Sequence, residues 1–234
     1  MKIQLLLPRS FSFLTACLLS SSLFSSLSLA QSVHAEVAPA TRVQLLASEN
    51  TASSLTLMEE DVPDNFTELP PALRAQLATQ MRAISQQLGG ADLNPDNLAV
   101  FVNPRDFQIV MGFTSKLETP TAQAEFDANL KKLENPEVRK LVLATIQQKL
   151  ASFPLGDLEI SNLAVLPEQN NLANASTGVT LELKLQGQSF RVDLIPFRRD
   201  EVGAVAAVFY AKDGESLAVR NFAEKLDRRI LNRS

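Results

Sequence analysis

The run VGAVAAVFY, residues 202–210, carries no charged or strongly polar side chain. A strand with one wet face alternates apolar and polar residues, so a strand without that alternation must be covered on both faces. This run therefore commits the chain to a sheet held between two layers, and Asp213-Gly214 marks the turn that ends it. Upstream, VTLELKL (179–185) sets Val179, Leu181, Leu183 and Leu185 on one face and Thr180, Glu182 and Lys184 on the other. A Gly187-Gln188 turn, glycine first, suits the twist of a hairpin and places Leu185 opposite Phe190 and Leu183 opposite Val192. It also aligns Lys184 with Arg191 and Glu182 with Asp193, which is unfavourable. Diagonal pairing of Lys184 with Asp193 and of Glu182 with Arg191, or a bulged register, relieves that clash. LEISNLAVL (158–166) reads as another strand, separated from 179 by the polar loop PEQNNLANASTG.

The first half has helical period. Leu73, Leu77, Met81, Ile84 and Leu88 line one face of a helix expected over 71–88, ended by Gly89-Gly90. LAVFV (98–102) and FQIVMGF (107–113) flank the turn NPRD and form a hairpin. Thr119-Pro120 opens a helix with face Ala122, Phe126, Leu130 and Leu133, the hydroxyl capping and the proline in the first turn. Asn135-Pro136 repeats the device for a helix with face Val138, Val142, Ile146 and Leu150. A last helix from about Ala218 buries Val219, Phe222, Leu226 and Ile230. SLTLM (54–58) is expected to start a short strand. Hairpins outnumber crossovers, so the fold class is α+β, a mostly antiparallel sheet flanked by helices.

The order of features over 179–230 (alternating strand, hairpin, basic turn, small-residue buried strand, Asp-Gly turn) resembles the C-terminal half of the PsbP-like family, extrinsic proteins of photosystem II and their relatives. DVPDNFTELP, FTSKL and the ending KLDRRI are similar to exported cyanobacterial proteins of uncharacterised function. The resemblance implies an α/β/α sandwich, a lumenal or periplasmic address and a non-catalytic binding or assembly role. Metal sites of that family lean on histidine, so none is carried over.

Residues 1–35 contain Lys2 and Arg9 and no acid, an uncharged run from Phe11 to Ala30, and SVHA at the small-residue spacing of a signal peptidase site. A signal peptide over 1–35 is expected, cut after Ala35 or after Ala30, then a flexible linker over 36–53 and a single α+β domain over 54–234. LTAC (14–17) also fits a lipoprotein signal, with Cys17 as anchor. That cut would leave most of the apolar run unused, so Cys17 is read as leader. No transmembrane span is expected after cleavage.

The chain has one Cys, one His and no Trp, and removal of 1–35 takes Cys17 and His34 with it. Without imidazole or thiol, Ser–His and Cys–His nucleophile pairs and N/S-ligated metal sites are excluded. All 26 acidic residues lie beyond residue 35, against all but two of the 22 basic ones, so the remainder carries about −6. Nucleic acid, which needs a concentrated basic surface, is not an expected partner. No phosphate-binding glycine loop occurs, and no cofactor is expected.

Candidate sites follow from charge. Arg198, Arg199, Asp200 and Glu201, with Arg191 nearby in strand order, suit the docking of a carboxylate or acidic surface, since the guanidinium is a planar fork. The bland reading is a hairpin turn whose charges pair among themselves. In MEEDVPDNFTE, Glu59, Glu60, Asp61, Asp64 and Glu68 offer oxygen ligands for calcium but lack the loop pattern, and a solvated loop is expected instead. Lys225, Arg228, Arg229 and Arg233 are read as complements to a helix dipole. The expected function is an exported, non-enzymatic accessory protein that docks on a protein partner or membrane-associated complex, in the periplasm or thylakoid lumen. The alternative is a periplasmic small-molecule binder or a carboxylate-dependent hydrolase.

Overall fold

The structure is a computed structural model that describes residues 55–87, 95–150 and 158–232, the side chains of 80–87, 95, 149 and 150 excepted. The leader, the linker, the Gly89-Gly90 exit and the side chains of Met81, Ile84, Leu88 and Leu150 lie outside it. Eight strands form one sheet: β1 (Thr67–Glu68), β2 (Leu98–Asn103), β3 (Gln108–Lys116), β4 (Leu158–Leu166), β5 (Ala175–Ser176), β6 (Gly178–Leu185), β7 (Gln188–Arg199) and β8 (Val202–Ala211). Their order is β1-β2-β3-β8-β7-β6-β4, with β5 attached to β7, and every pairing among the described residues is antiparallel. The helices are α1 (Pro71–Gln87), α2 (Pro120–Lys132), α3 (Pro136–Leu150) and α4 (Val219–Leu231).

β8 is central, and its neighbours explain its composition. Val205, Ala207 and Phe209 face one core, while Ala204, Ala206, Val208 and Tyr210 face the other. The first core takes Leu77 and Ala78 of α1, Leu133 at the end of α2, and Val142 and Ile146 of α3. The second takes Val219, Phe222, Ala223, Leu226 and Ile230 of α4, with Leu57 and Phe66 from the lead-in. The fold is therefore α+β, with helices on both faces of an antiparallel sheet.

Local chemistry sets the helix starts. Thr119 Oγ1 accepts from the Ala122 amide at 3.1 Å ahead of Pro120, and Asn135 Oδ1 accepts from the Glu137 amide at 2.9 Å beside Pro136. Arg139 then donates to the carbonyls of Leu133 and Glu134 at the exit of α2, where the backbone leaves acceptors unfilled.

Three expectations are corrected. Residues 55–58 form no strand. Leu57 instead packs on Gly112 of β3, where an added Cβ would lie 2.8 Å from Leu57 Cγ. The polar loop after β4 is partly ordered, with a 3-10 turn at Pro167–Gln169 and strand β5. The β6–β7 turn is Gln186-Gly187, with φ of 51° and 84°, and Leu185 pairs with Gln188. Two successive left-handed residues make the other two-residue turn whose twist suits a hairpin. The shift sets Leu183 opposite Phe190, Leu181 opposite Val192 and Glu182 opposite Arg191, which removes the like-charge clash. At the outer strand, β4 slips register between Ile160 and Asn162, and Gln147 of α3 donates to the Ile160 carbonyl at 2.6 Å.

Candidate functional site

On the α4 side of the sheet, α4 packs along β8, β7 and β3. Beyond it this face turns polar. The strand registers place Thr180, Asp193 and Val208 in one row and Glu182, Arg191 and Tyr210 in the next, with Asn162 of β4 beside Glu182. Lys184 and Ser189 form a third row. Thr180, Asp193 and Tyr210 are at most 9% exposed, whereas the Arg191 side chain is 38% exposed. The strip thus runs from a partly exposed arginine to buried side chains.

Its contacts are incomplete. Tyr210 donates its hydroxyl to Asp193 Oδ2 at 2.7 Å. Arg191 Nη2 reaches Glu182 Oε1 at only 3.4 Å, and Lys212 Nζ donates to Glu182 Oε2 at 3.0 Å. Three buried atoms, Thr180 Oγ1, Arg191 Nε and Asp193 Oδ1, have no hydrogen-bond partner among the described residues. Buried polar atoms are rarely left so, because each forfeits its hydration without return. The electrostatics follow the contacts. The hydrogen bond from Lys212, helped by Arg191, holds the Glu182 carboxyl below the usual carboxylate range. Burial, and then the Asp193 carboxylate, push the Tyr210 hydroxyl up to about 12.

The residues singled out from sequence fall in two places. Arg198 Nε and Nη2 donate to the two carboxylate oxygens of Asp127 on α2 at 2.7 and 2.6 Å. Arg199 binds Asp227 on α4 in the same two-pronged way, at 2.8 and 2.6 Å. Neighbouring residues of a strand point to opposite faces, so this dipeptide holds a helix on each side of the sheet. The two arginines of the turn therefore pair with the helices, and Arg198 Nη1 also donates to the Asp200 carbonyl at 2.9 Å. Asp200, at φ 50°, donates its amide to Asn174 Oδ1 at 2.7 Å, and the Glu201 carbonyl accepts from the Leu117 amide. Arg191 lies eight residues back, roughly 26 Å along β7, and only it joins the polar strip.

The acidic run is not the solvated loop expected. Asp61 is buried, and its Oδ2 accepts from the Met58 amide at 2.9 Å and from Arg229 Nε at 2.6 Å. Arg229 also reaches Glu60, and Lys225 donates to the Asp61 carbonyl. Two of the four basic residues read as dipole complements, Lys225 and Arg229, are the partners of the acidic run. Among the described residues, no group of three or more His, Cys, Asp or Glu side chains is placed to hold a metal ion. None of the described helices is long and apolar enough to cross a membrane.

Thr180, Glu182, Asp193, Tyr210 and Lys212 were not singled out from sequence. Their one trace there was the polar face of VTLELKL and the Glu182–Arg191 complementarity noted across the hairpin. No protein-family model, curated protein or solved structure matches the chain.

Proposed function

We propose that this protein is an exported, non-enzymatic binding protein that serves a larger assembly, in the periplasm or thylakoid lumen, and that it binds through the polar strip on β6, β7 and β8. The observation that carries the reading is the set of three unfilled hydrogen-bonding atoms on and beside a partly exposed arginine. Such a strip costs stability unless something completes it. The leader pattern and the PsbP-like resemblance of 179–230 supply the address and the accessory role.

A hydrolytic role for Glu182 and Asp193 is the weaker alternative. A carboxyl that serves as general acid keeps its proton near the working pH, whereas Glu182 is driven the other way. The depth of Asp193 and Thr180 favours a small polar group as the entity bound, whether free or displayed by a partner.

The test is fractionation of the native cell with tagged wild type and Arg191→Ala. The wild type is expected outside the cytosol, shortened by residues 1–35, and partly recovered with a membrane complex that the variant leaves. Material retaining residues 1–35, or equal recovery of both forms with the complex, would sink the reading.

A further inference from the structure

From the same strip we infer that the cluster of Thr180, Arg191, Asp193 and Tyr210 is a site for a neutral polyhydroxylated ligand, that is, a sugar residue. This rests on the reading of the strip as the binding face. Charge decides the class first. Along the strip Lys184, Arg191 and Lys212 alternate with Glu182 and Asp193 (Glu159 of β4 lies opposite Lys184), so a net anion or cation meets a like charge wherever it sits. A neutral ligand does not.

Hydrogen-bond valence decides next. Arg191 Nε can only donate, the Asp193 carboxylate can only accept, and the Thr180 hydroxyl does both. In valence a single hydroxyl satisfies the first two, accepting from Arg191 Nε and donating to Asp193 Oδ1, and a second hydroxyl satisfies Thr180. Tyr210 holds the other oxygen of Asp193 in place, so the acceptor is oriented before the ligand arrives. Arg191 is the movable cover. Its side chain is 38% exposed, and among the described residues its ion pair is the 3.4 Å contact with Glu182, with the Tyr210 hydroxyl beside it. Swinging it outward uncovers Asp193 and Thr180, and a bound hydroxyl draws it back.

The chain has one tyrosine and no tryptophan, so its intrinsic fluorescence comes from Tyr210 inside the site. The experiment is a titration of the exported form with methyl glucoside and with sucrose, read by that fluorescence and by calorimetry. A second arm uses vesicles of a glycosylated diacylglycerol against phosphatidylcholine vesicles, which separates a free sugar from a lipid headgroup. A saturable response in either arm is expected. It should weaken about tenfold in Asp193→Asn, because the charged acceptor becomes a neutral one. Thr180→Val provides the same reading should the first variant fold poorly. Sugars also stabilise proteins by exclusion from their surface, so an unsaturable response, or one equal in both variants, overturns the proposal. If membrane recovery depends on Arg191 but no polyol binds, the sugar assignment alone fails. Should polyols saturate the site while recovery ignores Arg191, the sugar assignment holds and the assembly role falls.

Discussion

Tyr210 shows how one side chain reports its surroundings. A free phenol ionises near 10. Burial first, and the Asp193 carboxylate second, raise that value to about 12, while the Arg191 guanidinium opposes them. Because the chain has no other tyrosine, ultraviolet absorbance titrates this group alone. The folded protein should ionise near 12. Asp193→Asn should move the value down toward 10 without reaching it, since burial remains, and Arg191→Ala should move it up. A native value near 10 in the wild type would refute the buried geometry. The same shift has a stability consequence. The folded state keeps its proton where the unfolded state has lost it. The contribution of Tyr210 to stability is therefore whole below pH 10 and lost as pH rises through 12.

Among the elements, the two arginine clamps differ in a way that can be measured. The Asp227 side chain is 9% exposed and that of Asp127 is 35% exposed. Removing Arg199 strands a buried carboxylate, and about 3 kcal/mol should be lost. Removing Arg198 strands one that water reaches, and about 1 kcal/mol or less should be lost. Urea unfolding of Arg199→Ala and Arg198→Ala checks the order, and equal losses would contradict it. These clamps also mark where sequence reading stopped. Period and capping residues placed β4, β6, β8, α2, α3 and α4 within a few residues, because faces and helix starts are local chemistry. The β6–β7 register was missed because it hangs on the turn, and Gln186 gives little sign of taking a left-handed conformation. Arg191 stood out from the sequence by its charge. Its companions on neighbouring strands did not, since the shifted register is what brings Glu182 beside it and Thr180 beside Asp193.

Across the whole molecule, the longest-range contacts tie the lead-in to the end of the chain. Arg229 and Asp61 are 168 positions apart, and nothing local in either segment announces the pair. With Lys225 on the Asp61 carbonyl, α4 fixes the 3-10 turn Glu59–Asp61, and Leu57 and Phe66 enter the second core beside it. Arg229→Ala should release this corner alone. Hydrogen exchange at the Asp61 and Val62 amides is expected to rise at least tenfold, with the amides of β7 and β8 unchanged, as for a local opening. A uniform rise across the sheet would mean that the corner is part of the global fold.

The slipped pairing in β4 has a bearing on solubility. A nine-residue strand at the rim of a sheet would ordinarily offer its free backbone to any passing strand and seed growth of the sheet from one molecule to the next. Here the extra residue, Ser161, bends the rim, and a glutamine from α3 occupies the neighbouring carbonyl. The template is spoiled at its midpoint, which works against that growth along this rim.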